Sequence, residues 1–258
     1  MIRAVLPFAL LCIAAMPSVA ENPAPGLAGA RLLPGWTLPD GSRIAALEFR
    51  LEPGWKTYWR NPGDGGLPPQ FDWSASANLS GLDLHWPAPQ PIPSQDGLAL
   101  GYHDRLILPF TARPADPALP VDLAVTVDFG LCKDICVPAH VALQAAGAGA
   151  EPDPAILAAL EQVPRRAGDR PACRLEPIAD GMRVTATLPR PVTLAAMELA
   201  GSEVWISGTE LATHAGVTVM SADFVPPEAA PFALPQDRLV FTVIDEHGAA
   251  VEMRGCAG

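Results

Sequence analysis

Five cysteines occur in this chain of 258 residues, and two of them bracket the short run Cys132-Lys133-Asp134-Ile135-Cys136. Thiols at this spacing can close into a ring and reopen. In disulfide exchange a thiolate attacks one sulfur and the other leaves, so the chemistry needs two cysteines able to cyclise and one sulfur within a partner's reach. Lys133 favours a thiolate at Cys132 while Asp134 opposes it, so local charge does not choose the nucleophile. The same spacing also suits a hairpin staple that only stabilises. Spacing alone leaves both readings open.

A zinc or copper(I) site is a third possibility, drawing on Cys132, Cys136 and His140, with His103 or a methionine completing the set. Two features weigh against it. His140 lies in a strand pattern that carries it about 13 Å beyond Cys136, and Pro138 interrupts any helix that could align all three. No metal and no cofactor are expected.

The segments around the pair read as strands. The run before Cys132 (VDLAVTVDFG) and the run from Val137 (VPAHVALQA) alternate apolar and polar residues, so the two thiols flank a tight three-residue connection. Residues facing each other across such a hairpin have Cβ atoms about 4.5–5.5 Å apart, slightly wider than a disulfide prefers. Elsewhere 30 prolines and 22 glycines divide the chain into short alternating segments. Arg43 to Leu51, Leu106 to Ala112, Val121 to Phe129, Met182 to Leu188, Glu203 to Ser207 and Arg238 to Asp245 are examples. The pattern predicts an all-β protein built as a sandwich.

One segment breaks the pattern. Asp153 as N-cap, Pro154 at the first helical position and the stop at Pro164 predict a short helix over 153–163. It is expected to lie in a linker, 151–172, between a first β domain over 21–150 and a smaller β-sandwich-like domain over 173–258. Cys173 and Cys256 open and close that second domain. Their expected disulfide spans about 80 residues and would add ~4 kcal/mol by restricting the unfolded chain.

The N-terminus has Arg3, an apolar run from Ala4 to Met16, and Ser18-Val19-Ala20, which together form the pattern of a secretory signal peptide over 1–20. Cys12 leaves with it. The four remaining cysteines suit the oxidising periplasm, where the mature protein is expected without stable membrane insertion. The net charge of −11 becomes one unit more negative without Arg3 and argues against nucleic acid as a partner.

Four motifs in order resemble a known family. They are Gly54-Trp55-Lys56-Thr57-Tyr58-Trp59-Arg60-Asn61-Pro62-Gly63-Asp64, His85-Trp86-Pro87-Ala88-Pro89, Gly101-Tyr102-His103-Asp104-Arg105-Leu106-Ile107-Leu108-Pro109, and Cys132 to Pro138. Residues 30–145 look like the N-terminal periplasmic domain of DsbD, with a closer likeness to the ScsB (suppressor of copper sensitivity) branch. The resemblance implies an immunoglobulin-like sandwich that passes reducing equivalents from a membrane transporter or thioredoxin-like domain to periplasmic thiol proteins such as disulfide isomerases. Cys132 and Cys136 match the redox pair, and Cys136 would form the mixed disulfide. Ser94 to Leu100 match a cap loop over the disulfide, with Asp96 in it and Leu98 or Leu100 in place of aromatics. Tyr58, Trp59 and Tyr102 match aromatics near the cysteines, while Asp104 and Arg105 read as an ion pair or turn.

The chain ends at Gly258 without an apolar run able to span a bilayer, so a separate electron transporter of the CcdA or DsbD type is expected to supply it. Disulfide isomerisation, cytochrome c maturation and copper tolerance are the processes the resemblance suggests.

Overall fold

The structure, a computed structural model, describes residues 24–94, 97–145 and 147–257. The expected signal peptide and Asp96 of the cap lie outside these. The first ten strands are β1 (Leu27–Thr37), β2 (Arg43–Leu51), β3 (Lys56–Tyr58), β4 (Gln70–Asp72), β5 (Leu79–Leu84), β6 (Gln90–Ser94), β7 (Gly97–His103), β8 (Arg105–Pro114), β9 (Leu123–Cys132) and β10 (Cys136–Ala145). They form two sheets, in the orders β1-β2-β8-β5 and β10-β9-β3-β7-β6, with β4 added beside β9.

Alternation along the strands builds the core between these sheets. Ala45, Leu47, Phe49 and Leu51 of β2 face Leu123, Val125, Val127, Phe129 and Leu131 of β9 within one buried cluster. Because side chains alternate along a strand, inward Phe129 and Leu131 put Gly130 and Cys132 on the outer face. Gly35 marks a bulge in β1 where the register shifts between Leu33 and Trp36. It has φ +62°, and a Cβ there would collide with the carbonyl of Ile44.

A short helix, α1 (Pro154–Leu160), follows, with the Asp153 side chain accepting from the Ala155 N–H. It is shorter than the expected 153–163. It buries Ile156 against Leu33 and Ala46 on the outer face of the first sheet.

The remaining strands are β11 (Arg165–Arg166), β12 (Ala172–Ile178), β13 (Gly181–Leu188), β14 (Leu194–Leu199), β15 (Trp205–Ile206), β16 (Glu210–His214), β17 (Val217–Val225), β18 (Leu239–Ile244) and β19 (Ala250–Arg254). They form the sheets β11-β19-β18-β14 and β12-β13-β17-β15, with β16 beside β17. The strand expected over Glu203–Ser207 shrinks to two residues. The Ser202 hydroxyl accepts the Val204 N–H and bends the chain before it can pair. Arg165 and Arg166, expected in the linker, pair in parallel with β19.

The chain is therefore almost entirely antiparallel β in two immunoglobulin-like layers of sheets, with one short α-helix among the described residues. The second core gathers Val184, Leu188, Met197, Phe224, Phe241 and Met253. Cys173 on β12 bonds to Cys256 just beyond β19, with Cα atoms 5.6 Å apart, and so ties the two sheets of this half together. No helix among the described residues is long and apolar enough to cross a membrane.

Candidate functional site

The ladder between β9 and β10 runs without a shift from Leu123↔Ala145 to Cys132↔Cys136. The two cysteines are its last pair, and their Cα atoms lie 4.1 Å apart across a closed disulfide. The Lys133 N–H donates to the Ile135 carbonyl (3.1 Å) and tightens the connection. The two sulfurs are placed unequally. Cys132 is 1% exposed, whereas Cys136 is exposed along with Lys133, Asp134 and Ile135.

The burial of Cys132 comes from neighbouring strands. Lys56 of β3 lies directly opposite it, and alternation places Tyr58 on the same face. The Tyr58 hydroxyl is 2.9 Å from Cys132 Sγ and 3.4 Å from Cys136 Sγ. Neither sulfur of a disulfide carries a hydrogen, so the phenol donates. Burial pushes the Tyr58 phenol above its ordinary range and keeps that proton in place.

β6 and β7 complete the cover. They pair as a hairpin from Gln90↔Gly101 to Ser94↔Gly97, and Ile92 opposes Ala99. Both are fully buried in a small cluster with Tyr58 and Cys132. Two expectations from the resemblance are corrected here. The cap is a β-hairpin continuous with the sheet, and the residues packed at the disulfide are Ile92 and Ala99. Leu98 points outward at 51% exposure, and Leu100 belongs to the main core.

Two of the expected aromatics also lie elsewhere. Trp59 and Tyr102 have the opposite strand parity to Tyr58 and belong to the cluster between the sheets. Tyr102 donates to the Pro87 carbonyl (2.7 Å) and stacks on Trp86 with ring centroids 6.5 Å apart. Asp104 forms the β7–β8 turn at φ +58°, and Arg105 pairs with Glu48 at 2.7 Å instead of with Asp104.

The two lysines of the chain, Lys56 and Lys133, flank Cys132. Lys56 Nζ donates to the Pro93 carbonyl (3.3 Å), and the Lys133 stem lies over Gly54, whose added Cβ would sit 3.2 Å from Lys133 Cε. His140 Nδ1 meets Asp128 Oδ1 at 2.7 Å. His103 opposes Lys56 and so stands a further strand away from Cys132. Among the described residues no three His, Cys, Asp or Glu side chains are grouped to hold a metal ion.

The residues just after Tyr58 grip the second pair of sheets. Arg60 binds both carboxylate oxygens of Glu198 at 2.8 Å and reaches Glu252 at 3.1 Å. Burial disfavours its charge, but the two glutamates outweigh that and raise its pKa. Its guanidinium lies 4.3 Å from the centre of the Trp59 ring. Asn61 donates to the Met197 carbonyl (2.8 Å), and Asp64 accepts from the Gly208 N–H (3.1 Å). In the sequence this run stands out only as part of a motif. Its partners lie 136 to 192 residues away, and no local spacing announces them.

Fold and site together define a class: an immunoglobulin-like sandwich with one disulfide closing the end of a hairpin, half buried under a β-hairpin cap. Residues 30–147 match the family described as "Thiol:disulfide interchange protein DsbD, N-terminal". Among solved structures, the N-terminal periplasmic domain of ScsB from Proteus mirabilis is similar in fold, with a TM-score of 0.65 and 23% identity over 87% of this chain and 91% of that one. No curated protein matches the chain in sequence.

Proposed function

We propose that the protein is a periplasmic thiol-disulfide exchange module that relays reducing equivalents through Cys132 and Cys136. The carrying observation is the asymmetry of the pair: Cys136 is exposed, while Cys132 is buried with the Tyr58 hydroxyl on its sulfur. A structural staple needs no such difference.

In the proposed reaction a partner thiolate attacks Cys136 Sγ, the Cys132–Cys136 bond breaks, and Cys132 leaves as a thiolate. The Tyr58 hydroxyl donates to that sulfur as charge develops, and Lys56 and Lys133 stand on either side of it. A second thiolate of the partner then attacks its own sulfur in the mixed disulfide and frees Cys136. Two electrons pass from the partner, which becomes oxidised, to this protein. The reduced pair next attacks the disulfide of a periplasmic acceptor by the same steps in reverse.

The family model that residues 30–147 match supports this reading. The proposed electron source is a membrane transporter of the CcdA or DsbD type, and the proposed acceptors are thioredoxin-like proteins or disulfide isomerases. Residues 21–150 are proposed as the redox domain. Cys173–Cys256 is proposed as a structural bridge.

The test is a trapping experiment. A Cys132→Ala variant, mixed with an oxidised thioredoxin-like protein, should accumulate a mixed disulfide through Cys136. Equilibration of the wild type with glutathione should place the pair above about −300 mV, the range of labile bridges. A pair that resists reduction and never gives a mixed disulfide is a hairpin staple, and the relay reading then fails.

A further inference from the structure

The second pair of sheets touches the first beside the disulfide, and it carries an unusually exposed aromatic there. Trp205, on the two-residue strand β15, is 53% exposed. It lines a cleft of about 310 Å³ between residues 198–206 and the 60–68 loop, with Gly66 and Pro68 on the opposite wall. Gly66 is one residue thick between that cleft and the sulfur site. A Cβ added to it would lie 2.7 Å from Tyr58 Cδ1, the ring whose hydroxyl meets both sulfurs.

Apolar exposure continues toward Cys136. Leu67 is 50% exposed and Ile135 is 70% exposed. Leu67 packs over Gly130, where an added Cβ would lie 2.8 Å from its own Cβ and 3.2 Å from Tyr58 Cδ2. The charges in the cleft are already matched, since Arg60 is bound by Glu198 and Glu252, and Asp64 holds the Gly208 N–H. What remains unmatched on this face is apolar surface.

We infer that Trp205 of the second pair of sheets, together with Leu67 and Ile135, forms the docking surface for the thiol-bearing protein that exchanges with Cys136. This rests on the exchange reading above. Exchange requires the partner's sulfur to reach Cys136. A specific interface buries roughly 800 Å² on each partner, an area that extends well beyond one sulfur and over the adjoining loops. Large aromatics set in such surfaces carry much of the binding energy. The clasp from Arg60 to Asp64 holds the two halves so that Trp205 faces the partner that the disulfide engages. The second half thereby acquires a part in partner choice.

Two reductants test this on the full chain: reduced thioredoxin as the protein probe and dithiothreitol as a thiol too small to touch Trp205. Trp205→Ala should slow reduction by thioredoxin about tenfold, the usual scale of losing one aromatic anchor, and leave reduction by dithiothreitol unchanged. Trp205→Phe should recover most of the rate. Leu157→Ala, at another half-exposed apolar residue on α1 away from the disulfide, should alter neither. An unchanged thioredoxin rate in Trp205→Ala overturns the inference. So does an equal loss with both reductants, which would mean that the substitution disturbs the disulfide itself. Failure of the Cys132→Ala variant to trap a mixed disulfide through Cys136 is a separate result. It removes the exchange reading, and the docking surface with it, before any Trp205 variant is needed.

Discussion

A phenol hydroxyl 2.9 Å from a sulfur acts differently as that sulfur changes charge. Against a neutral disulfide it is a weak contact, because divalent sulfur is a poor acceptor. Against a departing thiolate it becomes a charge-assisted hydrogen bond, roughly twice as strong as a neutral one. Tyr58→Phe keeps the ring that covers Cys132 and removes this donor. Exchange through Cys136 should slow by about tenfold, the equivalent of ~1.4 kcal/mol, with little change in the denaturation midpoint. Stopped-flow reduction by dithiothreitol measures the first effect and urea unfolding the second. Cys132, Cys136 and Tyr58 were all legible in the sequence as candidates. The family resemblance also points to Trp59 and Tyr102. Strand parity sends them inward, while Tyr58, one residue from Trp59, faces out.

At the scale of elements, the first sheet is held from outside the core as well as from within it. Glu48 on β2 is 1% exposed and accepts from Arg31 on β1 and Arg105 on β8, stitching three strands of the first sheet. Burial alone would raise its pKa, but hydrogen bonds from the two arginines outweigh that and lower it. A carboxylate whose folded pKa is depressed contributes stability above the unfolded value of about 4.3, and that contribution is lost as pH falls through the folded value. Glu48→Gln should therefore cost about 1–2 kcal/mol at pH 7. The figure is modest because both arginines are half exposed and rehydrate readily. The deficit should shrink as the pH is lowered through the acid range, which urea titrations at stepped pH would show. A constant deficit would place the effect in packing.

The strands themselves were largely readable, because alternation is a local pattern. Arg43–Leu51 was matched residue for residue by β2. The cap differed because a loop and a hairpin have the same local composition. Only the pairing of Ile92 with Ala99 in the same sheet as the cysteines turns that stretch into a strand pair.

For the whole molecule, the two disulfides stand in different surroundings. Cys132–Cys136 closes a loop of a few residues and restricts the unfolded chain little. Cys173–Cys256 spans 83 residues, and Cys256 is 9% exposed in the second core. A Cys173→Ser, Cys256→Ser double variant should lose about 4 kcal/mol of stability, read as a lower guanidinium midpoint. Reduction of Cys132–Cys136 by dithiothreitol should be unchanged below that midpoint. Loss of exchange in a variant that remains folded would assign the second bridge a part in the redox chemistry.

The sequence by itself determined the cysteine pairs, the all-β character and the family resemblance, since each rests on residue types and on the order of motifs along the chain. Three things belong to the tertiary structure alone: which sulfur is exposed, which aromatic reaches it, and how the second pair of sheets is fastened beside it. The first depends on Ile92, Ala99 and Tyr58 arriving from three other strands at Cys132. The last depends on Arg60 finding Glu198 and Glu252 across the chain. Such contacts join residues that no local period relates. They exist only once both sandwiches have closed and brought their faces together.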